Sequence, residues 1–465
     1  QRAREAYGVA CINVMSSYMI GYFLKEHAGL MEPLSMAMPS QEQVNEWKAQ
    51  IPVDEIVGII CESDSGLADA ERLGVLLGLQ NHDGVNEARR NKYLMIEQVG
   101  KAGLSVVQQK LCNSPEEAVE FAKKLGIVEQ EEVEGNVPGS TMHTLDDNVG
   151  NDDNEAYNTG SLGKATNVHH HSTEMRMCIV KPVRGAATDS VFLCKNQIDV
   201  KNAFNVIKGM PIFDDPRRMH ESVLIQEFAA GTEYAIDIVS KDGEHKVAAL
   251  WRYDKRPANG ASFVYFATEV IDADTEVGRL ICEYVKNALD ALDIKWGQTH
   301  SEVILGKEPR LVEVNCRPHN MDFAPLTMAC IGYNSLDMTL AAYLGGNDED
   351  TYPPDTKDLR LDWESLPDLS VTRAFGAVVH LVNYADGILL SVNEEALQEI
   401  EAMESVFDME IYPSFLEIGA PLLPTIDIRT DAGWVKIIND DREAFRRDYE
   451  RIVELMPELF IVDPR

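Results

Sequence analysis

Positive charge is scarce in this chain. It holds 42 lysines and arginines against 77 aspartates and glutamates, for a formal net charge of −35. Nucleic acid and anionic membrane both select basic surfaces, so neither is expected as a partner. The deficit leaves ATP open, because its phosphates need only a local basic pocket and a divalent cation. Eight cysteines are scattered over 465 residues, and no two stand at metal-ligand spacing. That usage fits a reduced compartment, and a cytoplasmic location is expected. The apolar run from Val9 to Leu24 is too short for a comfortable membrane span and carries Asn13, Ser16 and Ser17. It reads as a strand, a turn and a helix. No signal peptide is visible and no internal repeat is found. The Cys61–Gly66 stretch, CESDSG, follows a strand-like run but lacks the glycine pattern of a dinucleotide site, so no cofactor is assigned there.

What is present is ordinary globular composition, 45% apolar, and enough length for two to four packed units. Residues 8–125 alternate strand-like and helix-like pieces. GVACINV and VDEIVGIICES read as strands, the second as a buried one. SSYMIGYFLKEHAG and GLADAERLGVLLGL read as helices. This rhythm predicts a parallel sheet with helices on its faces. Two helices flank GLSVVQQ within 89–125. From Glu129 to Glu174 the chain turns to acids, Asn, Gly, Ser and Thr, a composition that cannot offset its ordering entropy. A flexible insertion is expected there. His169, His170 and His171 lie in it and read as part of a solvated loop. Strands resume at MCIVKPVRGAATDSVFLC and run through VLIQEFAAGTEYAIDIVSKDG and HKVAALWRYDKR. A helix is predicted at 276–292, another at 335–346 and a charged one near 441–456. The acidic, Pro-rich stretch 347–369 marks a boundary.

The richest segment is HSEVILGKEPRLVEVNCRP, residues 300–318. Side chains alternate faces along a strand, so Glu313 and Asn315 point the same way, roughly 7 Å apart. The Gly-Lys-Glu-Pro turn at 306–309 folds the two runs into a hairpin and can bring Glu302 beside them. Two carboxylates and an amide carbonyl converge, with no His or Cys among these three. Such hard oxygen ligands suit Mg²⁺ or Mn²⁺. A solvated hairpin face is the bland alternative. Against it stand the apolar setting and Arg317, a cation where phosphate or a developing oxyanion needs one. Arg317 also has a structural reading, an ion pair with Glu302 or a neighbouring acid. Lys181 ends the run CIVKP, as a snorkelling residue or a phosphate ligand. The loop after it, Gly185-Ala186-Ala187-Thr188-Asp189-Ser190, lets backbone amides approach phosphate. It is no P-loop, since it joins strands and lacks the Gly-Lys-Ser/Thr ending.

The order of these features resembles the ATP-grasp superfamily. NKYLMIEQVGKAGLSVV is similar to its DK-x-x-M helix and following strand. VKPVRGAATDSV is similar to its glycine-rich phosphate loop, VLIQEFAAGTEYAIDIV to its adenine–ribose hinge, and LVEVNCRP to its metal strand. The resemblance implies an α/β ATP-grasp fold. An N-terminal Rossmann-like parallel-sheet domain (1–91) would lead into linker helices and a mobile α+β lid (92–228). An α+β catalytic lobe (229–346) and a C-terminal subdomain (347–465) would follow. It implies that Lys92 and Lys181 hold ATP phosphates with Gly185, Ala186, Ala187 and Thr188. Gln226 and the backbone of Glu227, Phe228 and Ala229 would meet adenine, and Glu233 the ribose. Glu302, Glu313 and Asn315 would hold Mg²⁺. Arg317 would be catalytic with Lys181, steadying an acyl phosphate. Ala186, Ala187 and Ser190 replace usual glycines, and His319-Asn320-Met321 replaces the family's Gly pair. The tail, from FGAVVHLVNYADGILLSV onward, resembles that of L-amino acid (dipeptide) ligases, and biotin carboxylases share a related tail. The expected activity is therefore ATP-dependent joining of a small carboxylate to an amine, both amino acids, in a homodimer. A carboxylase or phosphoribosyl-substrate ligase of the same superfamily, and a nucleotide-binding regulator without turnover, are the alternatives.

Overall fold

The computed structural model describes residues 2–9, 11, 40–49, 56–129 except 83, 176–319 except 186–189 and 213–214, 323–345 and 360–464. The acidic insertion, apart from Glu129, and Ala186, Ala187 and Thr188 of the loop after Lys181 lie outside the described residues. So do most of GVACINV and all of SSYMIGYFLKEHAG.

The first unit contributes α1 (Arg2–Tyr7), α2 (Gln41–Lys48) and α3 (Leu67–Leu77). Ser40 opens α2 with a capping box to Gln43, and Gly78 closes α3 in the left-handed conformation that glycine takes at no steric cost. The described part of VDEIVGIICES, 56–63, pairs with no strand among the described residues, and Ile60 is 41% exposed. A strand exists only through a neighbour's hydrogen bonds. Most of the segment expected to be that neighbour is outside the described residues.

Helix α4 (Lys92–Lys101) follows, capped by Asn91, whose side chain accepts from the amides of Tyr93 and Leu94. Then come β1 (Gln109–Cys112), α5 (Pro115–Lys124), β2 (Cys178–Lys181), β3 (Phe192–Cys194), α6 (Gln197–Ile207), β4 (Pro211–Ile212), β5 (Asp215–Met219) and β6 (Val223–Glu227). Four of these strands form a sheet in the order β1-β6-β2-β3. Ala118 and Ala122 of α5 and Val200, Phe204 and Ile207 of α6 pack on Cys112, Val180, Val223 and Ile225. Ser114 and Pro115 start α5, and Asn196 caps α6. This small two-layer unit carries Lys181 at the end of β2.

The larger body is built on β7 (Thr232–Lys241), β8 (Glu244–Ala258), β9 (Ala261–Ile271), α7 (Glu276–Ala291), β10 (Gly297–Leu305), β11 (Pro309–Asn315), α8 (Ala324–Cys330) and α9 (Ser335–Leu344). The chain continues through β12 (Phe375–His380), β13 (Gly387–Val392), α10 (Glu394–Glu401), β14 (Val406–Ile411), β15 (Pro421–Leu422), β16 (Gly433–Asn439), α11 (Arg442–Leu455) and β17 (Phe460–Pro464). An antiparallel sheet runs β11-β10-β7-β8-β9-β12-β16-β14. Three strands from beyond residue 347 thus extend the central sheet. Helix α7 buries Ile281, Val285, Ala288 and Leu289, spaced three and four apart, against Ile236, Ile238, Val303 and Leu311. Each such large apolar side chain contributes about 1.5–3 kcal/mol. The opposite face meets α8 through Trp251, Phe323, Leu326 and Cys330. A second core around Val379, Val435, Phe445 and Ile452 holds the tail. Among the described residues no helix is long and apolar enough to cross a membrane.

Candidate active site

Strands β10 and β11 form the expected hairpin. Glu302 lies directly opposite Glu313, and His300 opposite Asn315. Like charges facing each other across a ladder repel. Cations relieve this pair. The Lys92 ammonium meets Glu313, and Asn315 Nδ2 donates to Glu313 Oε1 at 3.0 Å. Burial by itself would raise the Glu302 carboxyl. The His300 hydrogen bond, then the charges of Lys255, His300 and Lys92, outweigh it and hold Glu302 well below the usual carboxylate range. The ladder slips one residue between Glu302 and Val303, so Val312 is the extra residue that turns into the cleft.

That cleft, about 960 Å³ and open to solvent, separates the small sheet from the central one. Lys92, Lys181, Gly185, Gln226, Glu227, Phe228, Ala229, Glu233, Glu302 and Glu313 all line it. Asn315 lines a smaller adjoining pocket with Lys92, Gly185 and Glu313. Lys181 is only 6% exposed, and it makes no hydrogen bond or ion pair among the described residues. Burial, then the neighbouring Lys92 charge, pushes its ammonium down to about 7.

The hinge from β6 to β7 is held by its side chains. Gln226 Nε2 donates to Gln109 Oε1 at 3.0 Å. The Glu227 carboxylate receives Arg310 at 2.9 Å and the Gln108 amide at 3.1 Å. Gly231 has φ +154°, and a Cβ there would lie 2.2 Å from the Leu305 carbonyl oxygen. Only glycine lets the hinge run this close to the end of β10.

Two of the expected site residues are already engaged. Glu233 does not stand alone: Lys255 bonds it at 2.7 Å while lying 4.7 and 4.3 Å above the rings of Tyr253 and Tyr265. Burial would lower Lys255, but Glu233, Tyr265 and Glu302 hold it charged, well above the usual lysine value. Arg317 does not pair with Glu302. Its Nε donates to Asp64 at 2.7 Å and its NH1 to the carbonyl of Pro318 at 2.9 Å. The pair joins the first unit to the segment that follows β11.

Known sequences and structures bear on this cleft. The pattern of the ATP-grasp domain matches residues 175–325. Residues 175–325 are an ATP-grasp domain. Dapdiamide A synthase of Enterobacter agglomerans is 23% identical over 347 residues, 74% of this chain and 69% of that protein. The fold is similar to that of L-amino acid ligase from Bacillus licheniformis, with TM-score 0.58 and 16% identity over 91% of this chain and 84% of that one. It is also similar to N5-carboxyaminoimidazole ribonucleotide synthetase from Thermus thermophilus, with TM-score 0.53 and 13% identity over 96% of this chain and 98% of that one. All the residues that line the cleft except Lys92 and Val107 fall within 175–325.

Sequence reasoning missed Lys255, Ile179, Ile304 and Leu311, which also line the cleft. Ile179 stands two residues before Lys181 and Ile304 two after Glu302, so strand alternation alone puts them on the same faces. Nothing local marks Lys255, because it reaches the site through the pairing of β8 with β7 and β9.

Proposed function

We propose that the protein is an ATP-dependent carboxylate–amine ligase acting on amino acids. One carboxylate attacks the γ-phosphate of ATP, giving an acyl phosphate and ADP. An amine then displaces phosphate and forms the amide. The observation that carries this reading is Lys181, a buried cation without a partner among the described residues, facing the same cleft as the opposed Glu302 and Glu313. Such a cation is costly until an anion arrives. The names of dapdiamide A synthase and L-amino acid ligase support the amide half.

Lys92, Lys181 and the amides of Gly185 to Thr188 hold the phosphates in this reading. The backbone of Glu227 to Ala229 meets adenine beside Gln226, and Ile179 and Leu311 give the base apolar walls. Glu233, fixed by Lys255, meets the ribose. Glu302, Glu313 and Asn315 fit Mg²⁺ or Mn²⁺. They are oxygen donors, the two carboxylates face one another, and the amide nitrogen of Asn315 is engaged by Glu313, which leaves its oxygen for a cation. When bound, the cation lowers the repulsion between the phosphates and an incoming carboxylate. Arg317, its guanidinium fixed by Asp64, places a charge beside the acyl phosphate. Closure of the small sheet over the cleft keeps water from the intermediate.

A screen of amino-acid pairs for joint release of ADP and phosphate tests the reading. At least one pair should give stoichiometric amide, and Glu313→Gln should fold normally yet lose at least a few kcal/mol of barrier lowering. ADP release that requires bicarbonate would favour the carboxylase alternative instead.

A further inference from the structure

Beside the cleft, on the same face of the central sheet, stands a second cluster with different donors. We propose that Asp237, His300 and His319 form a binding site for a divalent transition metal of the zinc type. The site stands whether or not the ligase reading holds.

One ligand atom from each residue lies within 4.8 Å of the others. Asp237 Oδ1 is 3.3 Å from His300 Nδ1 and 3.5 Å from His319 Nδ1. Without a metal, His300 Nδ1 and Asp237 Oδ1 share a long hydrogen bond. Atoms sharing a tetrahedral metal with bonds near 2.0–2.1 Å stand about 3.3–3.4 Å apart. The two Asp237 edges, 3.3 and 3.5 Å, are close to that separation, and the three ligand atoms together stay within 4.8 Å.

The atoms turned away from this point are each engaged. His300 Nε2 bonds Glu302 Oε1 at 3.4 Å, and His319 Nε2 bonds the Tyr253 hydroxyl at 3.1 Å. Trp251 Nε1 donates to Asp237 Oδ2 at 2.7 Å. Metal-binding histidines usually donate their other N–H to an outer partner, and ligating carboxylates are hydrogen-bonded in turn. All three residues meet that rule. Asp237 and His300 are 6% and 3% exposed, and His319 Nδ1 is buried with no hydrogen-bond partner among the described residues. A buried nitrogen without a hydrogen bond is destabilising, and a metal would satisfy it. Two imidazoles and one carboxylate select zinc, cobalt or nickel over magnesium, whereas the neighbouring oxygen-only set does the reverse.

The two imidazoles are stacked, 3.8 Å apart and 16° from parallel. A metal–nitrogen bond lies in its ring's plane, so loading must turn one ring. His319, the more exposed of the two, is the ring expected to turn. The cluster of Glu71, His82 and Cys316 makes a poorer site. There His82 Nδ1 accepts the Lys295 amide at 3.1 Å, so its other nitrogen bears the proton and has no lone pair for a metal.

The full chain, stripped with a chelator, is titrated with zinc in excess magnesium, with bound metal read by elemental analysis after dialysis. One zinc per chain is expected, and cobalt should give the visible bands of a nitrogen-ligated site of low coordination. Outer-partner changes cost 10–100-fold in metal affinity. Tyr253→Phe should therefore weaken zinc about 10-fold, and His319→Ala roughly 100-fold or more. His319→Gln, which keeps a side chain of similar reach, carries the test if the alanine variant fails to fold. Glu313→Gln, His82→Ala and joint replacement of His169, His170 and His171 by alanine should leave zinc in place. Wild-type protein that retains no zinc overturns the proposal. So does zinc that survives both His319 changes, or zinc that leaves with Glu313, His82 or the His169–171 run.

Discussion

Replacing Lys181 by methionine should make the protein more stable without nucleotide and less responsive to it. In the nucleotide-free chain this ammonium is 6% exposed and unpaired among the described residues, and its pKa falls from 10.5 to about 7. At about 1.4 kcal/mol per pH unit the fall is worth about 5 kcal/mol. The pH dependence has a definite sign. Below about pH 7 Lys181 is charged in both folded and unfolded chains, and the folded state bears the whole cost of burying it. Between about 7 and 10.5 the unfolded chain binds the extra proton, so wild-type stability rises with pH. Above that range the cost is gone. Methionine has similar length and no charge, so the Lys181→Met variant should exceed wild type by up to about 5 kcal/mol at pH 6. The advantage should shrink as pH rises. Denaturant titration at pH 6 and pH 9, in chelator, measures both. Mg-ATP at a hundred times its Kd should then stabilise wild type by about 2.7 kcal/mol and at the same concentration add far less to the variant. A variant less stable than wild type at pH 6, or one that ATP stabilises equally, would refute the reasoning.

Arg317→Lys should lower turnover about 100-fold, roughly 3 kcal/mol, with little change in nucleotide binding, because lysine cannot copy the planar fork. If the bond to Asp64 is the residue's whole purpose, Arg317→Lys and Asp64→Asn will instead lower stability alike, by about 1 kcal/mol, and leave turnover intact. Gly231→Ala should cost about 2–3 kcal/mol of stability and weaken adenine-nucleotide binding, since the new methyl meets the Leu305 carbonyl. Thermal denaturation with and without ADP reads both effects.

What could be read from the sequence was local. Alternation around a Gly-Lys-Glu-Pro turn sufficed to place Glu302, Glu313 and Asn315 on one hairpin, and the register puts the two acids face to face. Lys181 at a strand end was equally plain, because its signal lies within a few residues. What escaped depends on distant pairing. Lys255 enters the cleft only because β8 lies between β7 and β9. Asp64 meets Arg317 across 253 positions. Strands β12, β14 and β16 extend the central sheet, with Val378 paired to Thr268 and Lys436, which no local pattern displays. His319 was noticed only for standing where glycines were expected. Its partners come from β7, β8, β10 and the start of α8, which no linear pattern displays.

The most direct test of the central claim follows one oxygen atom. The amino acid that supplies the acyl group is labelled with ¹⁸O in its carboxylate and incubated with ATP, Mg²⁺ and an amine partner found in the screen. If the carboxylate attacks the γ-phosphate, one labelled oxygen leaves with the inorganic phosphate for every amide formed, and ADP carries none. Phosphate free of label, or label transfer that requires bicarbonate and yields no amide, would contradict the account.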